Sequence, residues 1–226
     1  MNRQLRLELE RRESFARKDL AVSPSNSEAL AALDSWPRWH GGVLTLVGDE
    51  GVGKSHMAYI WAQAVKARIV PAQGPIDLRA LAGGPVLYED ADRNLADREE
   101  SLFHLINMAA EPGGGLLLTA RTAPTAWPTA LADLRSRLNA LPVAEIEHPD
   151  DAILETLLKK FFRERNIRPT DDVIPYLLRR IERSAAKARE IVIRLDETAD
   201  AEGRPISRTL ARQILESEPP TLGVLD

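Results

Sequence analysis

The sequence contains no cysteine. That absence excludes a disulfide framework, a thiol nucleophile and any cysteine-based zinc site. Nor is there an excess of basic charge: 30 Lys and Arg stand against 34 Asp and Glu, for a formal net charge of −4. This balance argues against a protein that coats DNA through its own charge. No hydrophobic run approaches the ~20 residues needed to span a bilayer. Residues 1–10 carry no apolar signal core, so a cytoplasmic protein without a membrane span is expected. Internal repeats are also lacking. What remains is a chain of 226 residues, 44% of them hydrophobic, long enough for one large domain or two small ones.

The most informative stretch is Gly48-Asp49-Glu50-Gly51-Val52-Gly53-Lys54-Ser55, a complete G-x-x-x-x-G-K-[ST] phosphate loop. Gly48, Gly51 and Gly53 permit backbone geometry that turns successive N–H groups inward around a phosphate. Lys54 brings a point charge to the β- and γ-phosphates, and Ser55 offers a hydroxyl to Mg²⁺. The motif requires a strand before it and a helix after it. The β-rich apolar run at 43–47 and the helical spacing of Met57, Ile60, Trp61, Ala64 and Val65 supply both.

Elsewhere, Ser25-Asn26-Ser27-Glu28 opens a helix that Trp36-Pro37 stops. Short strand or turn candidates follow at 69–70 and 76–78. Strands are expected at 86–88, 116–119 and 143–146, with helices at 101–110 and 131–138 between them. This alternation implies a parallel α/β sheet. From Pro149 onward only helices are expected, four of them, ending near Glu216. The expected organisation is a charged arm at 1–20, an α/β nucleotide-binding domain at 21–148, a small all-α lid domain at 149–216 and a tail at 217–226.

Glu89-Asp90 ends the 86–88 strand, where side chains face the ligand crevice of an α/β sheet. One carboxylate is expected to hold the Mg²⁺ shell and the other, Asp90, to orient attacking water. Thr119 ends the next strand and is a candidate sensor between the loop and the carboxylates. Arg135 and Arg137 lie two apart on a helix. An arginine delivered into a neighbour's nucleotide site accelerates hydrolysis by roughly 10³–10⁵.

The order of these elements resembles the AAA+ ATPases of the DnaA clade, over about residues 15–216. Pro24-Ser25-Asn26 looks like that clade's adenine-pocket entry, making Asn26 a nucleotide-binding candidate. Two features narrow the resemblance. No residues are left after the lid for the initiator's basic DNA-binding domain. In the arm, Gln4-Leu5-Arg6-Leu7-Glu8-Leu9 is similar to the peptide that docks on the bacterial sliding clamp, with Gln4 at a pocket rim and Leu5, Leu7 and Leu9 as anchors. Together these resemble the Hda family of regulatory inactivators of DnaA.

The resemblance implies an ADP- or ATP-binding protein, with Mg²⁺, that rides on the DNA-loaded clamp and stimulates ATP hydrolysis by DnaA. It would touch DNA only indirectly. Arg137 matches the family's arginine finger, acting in trans; a homo-oligomer stays open. The chain departs from the clade at Glu89, where Asp is usual, and near Ala186, where a phosphate-contacting lid arginine is usual. The adjacent Lys187, and Arg183 and Arg189, are the candidate replacements. Such departures suit a protein that holds a nucleotide rather than turning it over. The competing readings are a helicase-loader-like ATPase acting on DNA and a small-molecule kinase built on the same loop.

Overall fold

A computed structural model describes Arg17 and residues 20–217. Gln4, Leu5, Leu7 and Leu9 therefore lie outside the described residues. Five strands form one sheet: β1 (Val43–Val47), β2 (Arg68–Ile69), β3 (Pro85–Tyr88), β4 (Gly115–Ala120) and β5 (Val143–Glu145), in the order β2-β3-β4-β1-β5. Every pairing is parallel. β1 and β4 read as continuous apolar runs because both of their faces are covered.

The pleat sorts alternate residues to opposite cores. Leu116 and Leu118 of β4 pack with Leu102, Leu105, Leu134 and Leu138 from α4 (Glu99–Ala109) and α5 (Ala132–Leu138). Leu117 between them faces the other way, with Ala29, Leu33, Met57 and Trp61 from α1 (Pro24–Asp34) and α2 (Lys54–Val65). Each such fully buried leucine is worth ~1.5–3 kcal/mol. The one-turn α3 (Leu78–Leu81) crosses between β2 and β3.

Beyond the sheet come α6 (Asp151–Glu164), α7 (Val173–Leu178), α8 (Ala185–Glu202) and α9 (Arg208–Glu216). They enclose their own core around Leu158, Phe162, Leu177, Ile191, Leu195 and Leu210. None of the described helices is long and apolar enough to cross a membrane.

Local chemistry moved several element ends. Helix α1 starts at Pro24, capped by Ser23 rather than by the Ser25 segment. Pro24 has no N–H to satisfy, so it suits the first turn, and Ser25 and Asn26 are drawn inside it. Residues 76–78 form no strand: the Asp77 carboxylate accepts from the Arg79 and Ala80 N–H groups and starts α3 instead.

Candidate nucleotide site

The sheet order builds the site. Because β4 lies between β1 and β3, the carboxyl ends of three adjacent strands deliver the phosphate loop, Thr119 and the Glu89-Asp90 pair to one edge. They open into a cleft of about 750 Å³, closed on its other side by residues of α6 and the start of α8.

The phosphate loop runs from Gly48 to Ser55, and α2 begins at Lys54 with no side-chain cap. Its first N–H groups are thus left for a ligand, at the positive end of the helix. A Cβ at Gly48 would sit 2.4 Å from the Ile146 carbonyl oxygen, so only glycine fits there. Gly51 has φ +80° and lies against Ser184 at the start of α8, where the Ala185 N–H donates to the Gly51 carbonyl at 3.3 Å. Lys54 is buried, and its ammonium donates to the carbonyl oxygens of Gly48 at 2.7 Å and Asp49 at 2.8 Å. Burial lowers its pKa, and the strongest opposing influence is the charge of Asp90. An anion arriving at the loop would favour the charged ammonium.

The two carboxylates diverge. Asp90 lines the cleft in a left-handed turn, φ +48°. Its N–H donates to Thr119 Oγ1 at 2.9 Å, and the next N–H, of Ala91, donates to the Thr119 carbonyl at 2.8 Å. Thr119, 1% exposed, therefore fixes the turn that aims Asp90. Glu89 is not part of the cleft wall. Its carboxylate takes a hydrogen bond from the Tyr59 hydroxyl of α2, which pushes the Tyr59 pKa up to about 12.

The remaining candidates are distributed as follows. Ser55 lines the cleft. Asn26 lines it too, but its amide is engaged in the α1 cap: Oδ1 accepts from the Ser23 N–H at 3.0 Å and Nδ2 donates to the Ala21 carbonyl at 2.9 Å. Lys187 is directed along α8 to the Glu190 carboxylate, 3.2 Å away, and is not in the cleft wall. Arg183 pairs with Asp151 at 2.6 Å. Arg189 and Ala186 do line the cleft, the Arg189 guanidinium lying 4.5 Å from the Phe161 ring centre. Arg137 is exposed near the end of α5, outside the cleft, and ion-pairs with none of the described residues.

Sequence reasoning missed Tyr59, Asp92, Arg93 and Arg121. Arg93 pairs with Asp90 at 3.1 Å, and Arg121 with Glu50 of the loop. The available signal was the two-residue period: Arg121 follows Thr119 by two, on the same side of the strand end. Among the described residues no cluster of three or more His, Asp or Glu side chains stands as a metal site of its own. The Ser55 hydroxyl and Asp90 carboxylate are nevertheless the hard oxygen donors that Mg²⁺ takes alongside phosphate oxygens and water.

No protein-family model matches the chain. Over 89% of the chain it is 26% identical to the chromosomal replication initiator protein DnaA of Caulobacter sp., of which it spans 48%. It is also 26% identical over 52% of its length to DnaA of Thermomicrobium roseum, matching 25% of that protein. The chain thus spans half or less of these curated relatives. Among solved structures, domain III of Thermotoga maritima DnaA superposes with a TM-score of 0.73 at 18% identity, covering 89% of this chain and 95% of that one. AMPPCP-bound DnaA from Aquifex aeolicus superposes with a TM-score of 0.64 at 19% identity, over 84% of this chain and 67% of that one. The fold is that of an AAA+ α/β domain, and over 89% of its length the chain is similar in sequence to DnaA.

Proposed function

We propose, starting from an AAA+ chain of DnaA-like sequence, that this protein is a nucleotide-bound regulatory inactivator of DnaA. It holds ADP or ATP in the cleft above the phosphate loop, docks on the DNA-loaded sliding clamp through Gln4, Leu5, Leu7 and Leu9, and stimulates hydrolysis of the ATP carried by DnaA. The loop N–H groups and Lys54 hold the phosphates. Ser55 and a carboxylate of the Glu89-Asp90 pair hold Mg²⁺, which would neutralise phosphate charge.

The observation that carries the reading is Arg137. It is exposed, lies outside the chain's own cleft and ion-pairs with no described residue. A guanidinium so presented suits insertion into the nucleotide site of an adjoining AAA+ subunit, where it stabilises charge in the transition state. Two further features support weak turnover by the chain itself. The Glu89 carboxylate is engaged by Tyr59, and Ala186 stands where the clade usually carries a phosphate-contacting arginine.

The test is hydrolysis of ATP pre-bound to DnaA, with and without clamp loaded on DNA, comparing wild type with Gln4→Ala and Arg137→Ala. Acceleration that requires the clamp and disappears in both variants is the expected result. Removing a finger of this kind costs roughly 10³–10⁵ in rate. Absence of acceleration, together with DNA-dependent ATP hydrolysis by the chain alone, would instead establish the helicase-loader-like reading.

A further inference from the structure

The helices beyond the sheet carry a cluster of positive charge that the nucleotide cleft does not use. Tyr176 of α7 is buried, and two guanidiniums lie over its ring. Arg180, one turn on, is 4.2 Å from the ring centre, and Arg208, the first residue of α9, is 5.3 Å from it. Arg212 follows Arg208 by one turn, on the same face of α9. Its hydrogen bond to Glu216 raises its pKa, and Tyr176 adds to the rise. Arg179 adjoins Arg180, and Arg168 lies in the loop before α7. That loop is tied to the approach to α9, because the Thr170 N–H donates to the Ile206 carbonyl at 3.0 Å. All five arginines are exposed, while Leu210, Ala211 and Ile214 of α9 face the core.

Carboxylates do not cancel this charge. Arg168, Arg179, Arg180 and Arg208 form no ion pair with a described residue. Asp172, ahead of α7, is engaged by the Thr170 hydroxyl at 2.6 Å. Glu216 pairs with Arg212, but the two side chains are 62% and 67% exposed, so the pair is weak and readily exchanged. Two like charges held at one ring repel each other, and an anion set between them relieves that repulsion. The planar fork of a guanidinium suits phosphate oxygens in particular. Along a duplex, the phosphates of each strand recur about every 3.4 Å of axis, so neighbouring ones fall to one such cluster. Bases are not its target. Tyr176 lies beneath its arginines, and no aromatic side chain is among the exposed large hydrophobics of the described residues. A single strand therefore finds no stacking platform.

We propose that the face made by the end of α7 and the start of α9 is a docking surface for duplex DNA. It grips backbone phosphates through Arg180, Arg208 and Arg212 and reads no sequence. This goes beyond the reading above, in which the clamp alone brings the chain to DNA. The net charge of −4 keeps binding of free duplex weak. On a loaded clamp the duplex would be presented at a roughly millimolar effective concentration, where a weak contact suffices.

The experiment is fluorescence anisotropy of a labelled duplex with the full-length protein, over a salt series and without clamp. Wild type is compared with Arg180→Gln/Arg208→Gln, Arg180→Lys/Arg208→Lys and Arg79→Gln. Single-stranded DNA and poly-glutamate serve as competitors. Three phosphate contacts should cost wild type roughly fortyfold in affinity between about 50 and about 200 mM salt. The double glutamine variant should bind more weakly, with a log–log salt slope shallower by about 2. The double lysine variant should keep the wild-type slope, because the charge remains. Arg79→Gln, on α3 and also exposed, should match wild type. Wild-type binding by the double glutamine variant, or an equal loss in Arg79→Gln, overturns the assignment. So does a double lysine variant that loses as much slope as the glutamine one, since packing on Tyr176 would then be the cause. Displacement of duplex by poly-glutamate at equal charge would assign the face to an acidic protein surface instead, and preference for the single strand would refute the duplex. None of these outcomes bears on DnaA-ATP hydrolysis, so the two proposals fail separately.

Discussion

Replacing Thr119 with valine would remove one oxygen from the centre of the site and little else. Thr119 Oγ1 accepts the Asp90 N–H at 2.9 Å, while its backbone carbonyl separately holds Ala91. Valine keeps the shape, and the residue is 1% exposed, so water has little room to take the place of the lost oxygen. A buried donor left unpaired costs ~1–3 kcal/mol. Asp90 is half-buried, which places the expected loss in the lower half of that range. The same hydroxyl helps to hold Asp90 at φ +48°, a conformation costing of order 1–2 kcal/mol for a residue with a Cβ. For a chain of this size each kcal/mol moves the melting temperature by about 2–4 °C. Thr119→Val should therefore melt roughly 2–8 °C lower by scanning calorimetry. Thr119→Ser is the control. It keeps the oxygen and loses one methyl group, worth ~0.8 kcal/mol, and should be the more stable of the two. If valine matched the wild type and serine were the worse, the Thr119 hydroxyl would not be what holds the Asp90 turn.

Other outcomes follow from single contacts. Thr45, on the interior strand β1, is fully buried, and its hydroxyl has no hydrogen-bond partner among the described residues. Thr45→Val should raise stability by about 1 kcal/mol in denaturant titration. Asp150 caps α6, and hydrogen bonds from the Ser23 hydroxyl and then the Ile153 N–H hold its carboxyl below the usual aspartate range. A depressed carboxyl stabilises the fold above the ordinary aspartate pKa and loses that contribution as pH falls through its lowered value. Asp150→Ala should thus cost about 1 kcal/mol at neutral pH, and its deficit against wild type should narrow in acid. At Gly48 an added methyl meets the Ile146 carbonyl at 2.4 Å, a backbone atom with no side-chain freedom. Gly48→Ala should lower stability by ~1–3 kcal/mol and weaken nucleotide binding; unchanged calorimetry of both would refute that reading of the loop.

Much of the architecture was legible in the sequence because its signals are local. Residues 43–47 and 116–119 are apolar runs introduced by glycine, and they fall within the buried strands β1 and β4. The phosphate loop carries its own geometry in its glycines, and the helix start at Lys54 follows directly. Asp150, Ser184 and Ser207 accept backbone N–H groups at the starts of α6, α8 and α9, a contact made within one turn of chain. Element ends were less legible where two caps compete, as at Ser23 and Ser25, or where a single carboxylate, Asp77, converts an apolar triplet into a helical turn.

The pairing of side chains across the sheet was decided by tertiary structure alone. Glu89 and Asp90 are neighbours in the chain, yet Asp90 enters the cleft while Glu89 is engaged by Tyr59, 30 positions earlier on α2. Lys187 and Arg189 are two apart on one helix, and 100° of rotation per residue carries one to Glu190 and the other into the cleft wall. Arg121 meets Glu50 across 71 residues because β4 inserts beside β1. A sequence specifies which groups exist and how each local segment bends. Which charges meet depends on strand order and helix rotation, and these are set by burying both faces of one sheet at once.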